Sequence, residues 1–271
     1  MNKITVFYDH IRNAMKQENL TLEEVAAKLT AAGISGIETD YLDVAGEEGE
    51  ALASKLSELG LPVSSVYCHF HWELDPPQEE IEAVLKQLQK VGIQNLLAIP
   101  GFMLEGQTSL ESKEILCPYL SKLCEEAKAY GIQVLMEDFD GAAASFGTSD
   151  DLRWYMDRIP QLGCAFDTGN FLFFGENADE ALPALEDKVA YVHCKDRSLE
   201  PKEGEEPLMA VTGTALYSSP VGHGVIKMRE ILEKILANGY EGPLAIEHFG
   251  SMHQLDDMLA SAAFLRDFLQ A

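Results

Sequence analysis

Short apolar runs alternate along the chain with longer stretches whose apolar residues recur at helical spacing. That alternation predicts repeated βα units and a parallel sheet. Eight runs read as strands, at 4–8, 36–39, 63–68, 95–99, 133–137, 163–167, 190–193 and 244–247. Their ends recur at roughly 30 residues, the size of one βα unit, except for a longer interval before the last. The stretches between them carry helix signals. Thr21 and Glu24 have the spacing of a capping box before Val25 and Leu29, with Gly33 as the stop. Pro76 and Pro77 precede the stripe Ile81, Val84, Leu85, Leu88 and Val91, which Gly92 ends. Thr148 to Asp151 cap a helix closing before Pro160, and Met228, Ile231, Leu232, Ile235 and Leu236 form the last stripe. Eight units in 271 residues predict an α/β chain folded as one (β/α)8 TIM barrel, a single domain over 1–271. An open doubly wound sheet would more often carry a phosphate-binding glycine loop after its first strand, and none follows Tyr8. The one break in the period is a long loop at about 197–224, rich in Glu, Gly, Pro and Ser, which is expected to form a lid.

Four of the apolar runs end on side chains that bind metals. Val134 to Met136 lead to Glu137, Cys164 to Phe166 to Asp167, Val189 to Val192 to His193, and Leu244 to Ile246 to Glu247. Any one of these alone reads as a helix cap, an ion-pair partner or a hydrogen-bonded histidine. Parallel strands in a barrel deliver their carboxyl ends to one face, so the four are expected to meet. Three carboxylates and one imidazole suit a hard or borderline divalent ion, Mn²⁺ foremost, with Mg²⁺, Co²⁺ or Zn²⁺ as alternatives. Four protein ligands around a six-coordinate ion leave room for a carbonyl and its neighbouring hydroxyl. The polarised carbonyl would acidify the adjacent C–H for a carboxylate to remove.

Composition narrows the partners. The 45 Asp plus Glu against 20 Lys plus Arg give a formal charge of -25, which repels phosphate backbones and anionic lipid surfaces. Nucleic acid and membrane are therefore not expected as partners, and the substrate is expected to be small. Five cysteines without a C-x-x-C pair point to reduced thiols and a cytoplasmic setting. The amino terminus enters directly into Ile4, without the pattern of a signal peptide or transmembrane helix.

The sequence resembles the xylose isomerase-like TIM-barrel superfamily, which includes sugar isomerases and epimerases, inosose dehydratases, hydroxypyruvate isomerases and abasic-site endonucleases. The resemblance covers nearly the whole chain. It is carried in order by Gly33-Ile34-Ser35-Gly36-Ile37-Glu38, Glu137, Asp167-Thr168-Gly169-Asn170, His193-Cys194-Lys195-Asp196, Gly222-His223-Gly224, and Gly239-Tyr240-Glu241-Gly242 leading to Glu247. It implies that Glu137, Asp167, His193 and Glu247 bind one divalent metal. In the epimerases, the residues matching Glu137 and Glu247 also act as base and acid through an enediolate.

Around this quartet, His69, Glu38, Asn170 and Lys195 are expected to contact substrate, with Trp72 and Phe102 as a candidate apolar wall and Asp196 and Arg197 organising the long loop. Asn170 stands where many members of the superfamily carry histidine. The leading expectation is a metal-dependent isomerase or epimerase of a ketose or keto-sugar. A keto-polyol dehydratase of the inosose type is the nearest alternative, since its first proton abstraction is the same. An abasic-site endonuclease and a non-catalytic sugar-binding barrel are lesser ones. Whether the chain forms a homo-oligomer is left open.

Overall fold

Residues 2–74 and 78–271 are described by a computed structural model. Pro76 and Pro77, read as preceding a helix, lie outside the described residues. The strands are β1 (Ile4–Phe7), β2 (Ile34–Asp40), β3 (Val63–His69), β4 (Asn95–Ile99), β5 (Gln133–Met136), β6 (Gly163–Asp167), β7 (Val189–Ser198), β8 (Leu208–Met209), β9 (Ala215–Ser219) and β10 (Leu244–Glu247). Strands β1 to β7 pair in sequence order and in parallel, and β10 closes the circle by pairing with both β7 and β1. The result is a closed eight-strand parallel barrel, a single (β/α)8 fold, as the periodicity predicts.

The helices are α1 (Tyr8–Glu18), α2 (Leu22–Ala31), α3 (Gly46–Glu58), α4 (Gln78–Val91), α5 (Ser109–Tyr130), α6 (Ser149–Arg158), α7 (Ala178–Leu185), α8 (Met228–Ala237) and α9 (Gln254–Gln270). Thr21 and Thr148 each begin a reciprocal capping box, with Glu24 and Asp151 respectively. No helix among the described residues is long and apolar enough to cross a membrane.

Strand alternation divides the core in two and places the site. Odd and even residues of a strand face opposite sides of a sheet. Val6, Leu96, Val134, Val192 and Ile246 face outward and pack with the helix stripes, while Phe7, Leu97, Leu135, Ala165, Tyr191 and Ala245 fill the barrel interior. Two residues beyond four of these interior side chains come Glu137, Asp167, His193 and Glu247. The alternation that buries Leu135, Ala165, Tyr191 and Ala245 therefore turns all four polar groups inward, one layer higher, at the carboxyl face.

The segment after His193 is more ordered than its composition suggested. Strand β7 continues to Ser198, and its last residues pair antiparallel with β9, which in turn pairs with β8. Ala210 and Leu216 of this extension pack on Phe173, just beyond β6. Asp196 accepts backbone N–H bonds from Arg197, Gly222, Gly224 and Ile226 and so fastens the returning chain to β7.

Candidate metal centre

Glu137, Asp167, His193 and Glu247 are all buried, and each offers a ligand atom within 4.8 Å of the others. The sheet register explains the approach, since Asp167 is level with His193 on the neighbouring strand and Glu247 is level with Lys195. His193 Nδ1 lies 2.7 Å from Glu137 Oε2 and 3.5 Å from Glu247 Oε2. Asp167 Oδ1 accepts the backbone N–H groups of Gly169 and Asn170, at 2.6 and 2.7 Å, while its buried Oδ2 has no partner. An unpartnered carboxylate oxygen inside a ring of two further carboxylates and an imidazole is costly by itself. These donors fit a divalent cation, which would satisfy that oxygen and offset the crowded negative charge.

The protonation of these side chains reflects that crowding. Burial, despite His193, pushes Glu137 up to about 7. Burial also raises Asp167 well above the ordinary carboxylate range, with Lys195 pulling the other way. Although burial disfavours its charge, His193 is raised well above the usual imidazole value by Glu38 and Glu137. Asp138, the next residue after Glu137, is wholly buried with neither carboxylate oxygen partnered, and burial followed by Asp167 and Glu137 raises it well above the ordinary range.

The centre forms one wall of a cavity of about 310 Å³, lined by Glu137, Glu247, His69, Asn170 and Lys195 together with Phe7, Tyr67, Leu97, Ile99, Phe139, Asp140 and Phe249. A volume near 300 Å³ is at the small end of ligand pockets. Of the expected substrate-contact residues, His69, Asn170 and Lys195 reach this cavity, and burial lowers the His69 pKa so that it presents a neutral imidazole. Lys195 is already fully engaged. Its ammonium lies 2.7 Å from Glu247 Oε1, 2.5 Å from Asn170 Oδ1 and 3.2 Å from Asp140 Oδ2, which occupies all three N–H donors.

Glu38, also expected to contact substrate, is not among the residues lining the cavity. It is wholly buried, with Oε2 3.2 Å from His193 Nε2. Strand β2 runs on to Asp40, so Glu38 is not at the strand end but one layer down. Trp72 and Phe102 do not line the cavity either: Trp72 is buried against Phe70 and Tyr119, and Phe102 packs edge-on against Phe139. Phe7, Tyr67, Phe139 and Phe249 supply the aromatic lining instead. Tyr67 and Phe7 follow from inward strand alternation, whereas Phe139, Asp140 and Phe249 lie beyond strand ends, where no period marks them. His10 and His248 stack on each other at 4.7 Å outside the cavity lining, and His10 Nε2 accepts the His248 backbone N–H.

Comparison with known proteins agrees with the barrel fold. An inosose dehydratase of Geobacillus thermodenitrificans (strain NG80-2) is 22% identical over 249 residues, spanning 84% of this chain and 82% of the relative. The crystal structure of the IOLI protein with a binding zinc atom superimposes with a TM-score of 0.75 at 14% identity, covering 99% of this chain and 98% of the other. A D-allulose 3-epimerase from Methylomonas sp. gives 0.72 at 16% identity, covering 98% of each chain. At such identities the two structures establish a shared fold alone. The xylose isomerase-like TIM barrel family matches residues 26–268, and the chain belongs to that family.

Proposed function

We propose that the chain is a divalent-metal-dependent isomerase or epimerase that moves a proton at the carbon beside the carbonyl of a ketose or keto-sugar, through an enediolate. The observation that carries this reading is the placement of Glu137 and Glu247. Both carboxylates line the cavity at the carboxyl ends of different strands, and both offer oxygens to the same cluster beside His193. A divalent ion held by Glu137, Asp167, His193 and Glu247 supplies Lewis acidity toward a carbonyl oxygen. Mn²⁺ suits a set of three carboxylates and one imidazole.

The protein groups then have distinct tasks. Asp167 is held by two backbone N–H groups and is a fixed ligand. Glu137 removes a proton from one face of the carbon, and Glu247, having taken up a proton from solvent, returns it to the other face, which inverts that centre. Lys195 fixes the Glu247 carboxylate through Oε1 and leaves Oε2 toward the cluster. His69, neutral and on the opposite wall, donates to or accepts from a substrate oxygen, and the aromatic lining excludes water from the reacting carbon.

The second reading is a keto-polyol dehydratase. It is favoured by the relatives named inosose dehydratase, and it shares the first proton abstraction. The two readings part at the fate of the enediolate. Ketoses and keto-inositols are incubated with the Mn²⁺-loaded chain in deuterated water, and carbon-bound deuterium and products are followed by NMR. The lead reading expects exchange with retention of every oxygen. Loss of water from the product would establish the dehydratase, and absence of exchange with metal bound would refute both. Glu137→Gln and Glu247→Gln chains that retain full exchange would remove these residues from the mechanism.

A further inference from the structure

Asp140 sits in the loop beyond β5, and its carboxylate borders two adjoining cavities at once. The second, of about 360 Å³, is lined also by Arg197, Glu206, Leu208, Leu216, Ser218 and Phe249, so the β8–β9 extension builds much of its wall. Asp140 accepts from both cations at this junction, Lys195 and Arg197. The described residues include every lysine and arginine of the chain, and only these two line either cavity. Both are buried, and each is charge-balanced before any ligand arrives. Lys195 shares its three donors among Glu247, Asn170 and Asp140. Arg197 is paired with Asp140.

We propose that Asp140 is a specificity-determining residue, which together with Glu247 balances the positive charges of Lys195 and Arg197 so that the two cavities it lines accept uncharged polyhydroxylated substrates and reject phosphorylated or carboxylated ones. The inference takes the keto-sugar class from the proposed function, but the charge balance stands on the residues alone. A phosphate group carrying nearly two negative charges would have to displace Asp140 from its partners and lie beside it, Glu206 or Glu137 in a partly desolvated space. A hydroxyl incurs no such cost. Arg197 Nε and Ser218 Oγ are buried without partners and belong to residues of the second cavity wall, and a hydroxyl could satisfy them without bringing negative charge beside Asp140. Despite burial, Lys195 and Arg197 hold the Asp140 carboxyl below its ordinary value, so the cancelling charge is present at neutral pH.

The test is titration calorimetry of the full chain with inorganic sulfate at low ionic strength, with and without bound Mn²⁺. Wild type is expected to show no saturable sulfate binding. Asp140→Asn removes the carboxylate that the two cations share and is expected to bind sulfate saturably, at least tenfold more tightly than the limit set by wild type, in both metal states, with added salt weakening it and a second change, Arg197→Gln, abolishing it. Circular dichroism checks the fold, and Asp140→Ser carries the same measurement if the asparagine variant does not fold. Saturable sulfate binding by wild type that matches the variant overturns the proposal, as does a folded variant that gains none. If neither variant folds, the wild-type titration alone decides: saturable binding overturns the proposal and its absence supports it. Sulfate responses as expected in a chain that exchanges no solvent deuterium into any keto-sugar would keep the charge selection while removing the proposed reaction.

Discussion

Glu38 and His193 face each other through Oε2 and Nε2 at 3.2 Å, on the side of the imidazole away from Glu137 and Glu247. Nδ1 thus points into the ligand cluster, and Nε2 points down to a carboxylate that no solvent reaches. A carboxylate on the far nitrogen of a metal-binding histidine fixes its ring and tautomer and raises its basicity. Glu38→Gln keeps the shape and removes the charge. It is expected to weaken divalent-metal affinity at least about tenfold with the fold intact by circular dichroism. Calorimetric metal titration at fixed pH checks this, and an unchanged affinity would show that Glu38 serves packing only.

Metal affinity and stability should depend on pH in opposite senses. In the metal-free chain, burial raises Glu137 to about 7, and Asp167 is raised as well. Above the ordinary carboxylate value, near 4.3, and below the raised one, the folded chain holds protons that the unfolded chain has lost, so this contribution to stability falls as pH rises. His193, also raised, contributes with the same sign: its share is present at low pH and lost as pH climbs through the raised value. Bound metal requires the ionised carboxylate and the free imidazole lone pair, so it gains as those protons leave. The rise in Tm on adding Mn²⁺ is therefore expected to be larger at about pH 7.5 than at about pH 5.5, with affinity falling roughly tenfold per unit where one proton is displaced. A metal-induced rise that is independent of pH across that range would contradict the raised Glu137.

The part of the site that strand alternation controls was legible in the sequence, and the part that loops control was not. Glu137, Asp167, His193 and Glu247 each follow an interior core residue by two, so an apolar run and its polar end are enough to place them. Glu38 was legible as an inward residue but not in depth, because the last residues of β2 carry no apolar alternation to mark where the strand ends. Phe139, Asp140 and Phe249 lie where the chain leaves the barrel, and their positions depend on tertiary contacts such as the pairing of Asp140 with Arg197. The β8 and β9 strands were hidden for a related reason. They are short and set in a segment rich in Gly, Pro and Glu, and the neighbour that orders β9 is the extended end of β7.

Asp196 supports that extension through four backbone N–H groups, from Arg197, Gly222, Gly224 and Ile226. Asp196→Ala leaves these donors without their acceptor in a buried place. The expected loss is roughly 3 kcal/mol or more, since hydrogen bonds to a charged acceptor contribute about 1.5–3 kcal/mol each and act here as a group. Limited proteolysis is expected to cut the variant first between residues 198 and 226, ahead of any global unfolding. Unaltered cleavage and an unaltered Tm would mean that pairing with β7 alone orders the segment.

Lys195 offers a test of how the cluster balances its charge. In the metal-free chain its ammonium compensates Glu247 at 2.7 Å and contributes to Asp140, both in surroundings that exclude most water. Lys195→Met removes one partner of a buried ion pair, which costs about 3–5 kcal/mol of metal-free stability. A divalent ion would compensate Glu247 in its place, so the metal-loaded chain should lose less. By linkage, the variant must then bind metal more tightly than wild type, and an increase of roughly tenfold corresponds to about 1.4 kcal/mol of that difference. Paired thermal melts with and without Mn²⁺, together with a metal titration, measure both sides of the cycle. Weaker metal binding by Lys195→Met would instead mean that orienting Glu247 outweighs the repulsion between the ammonium and the ion.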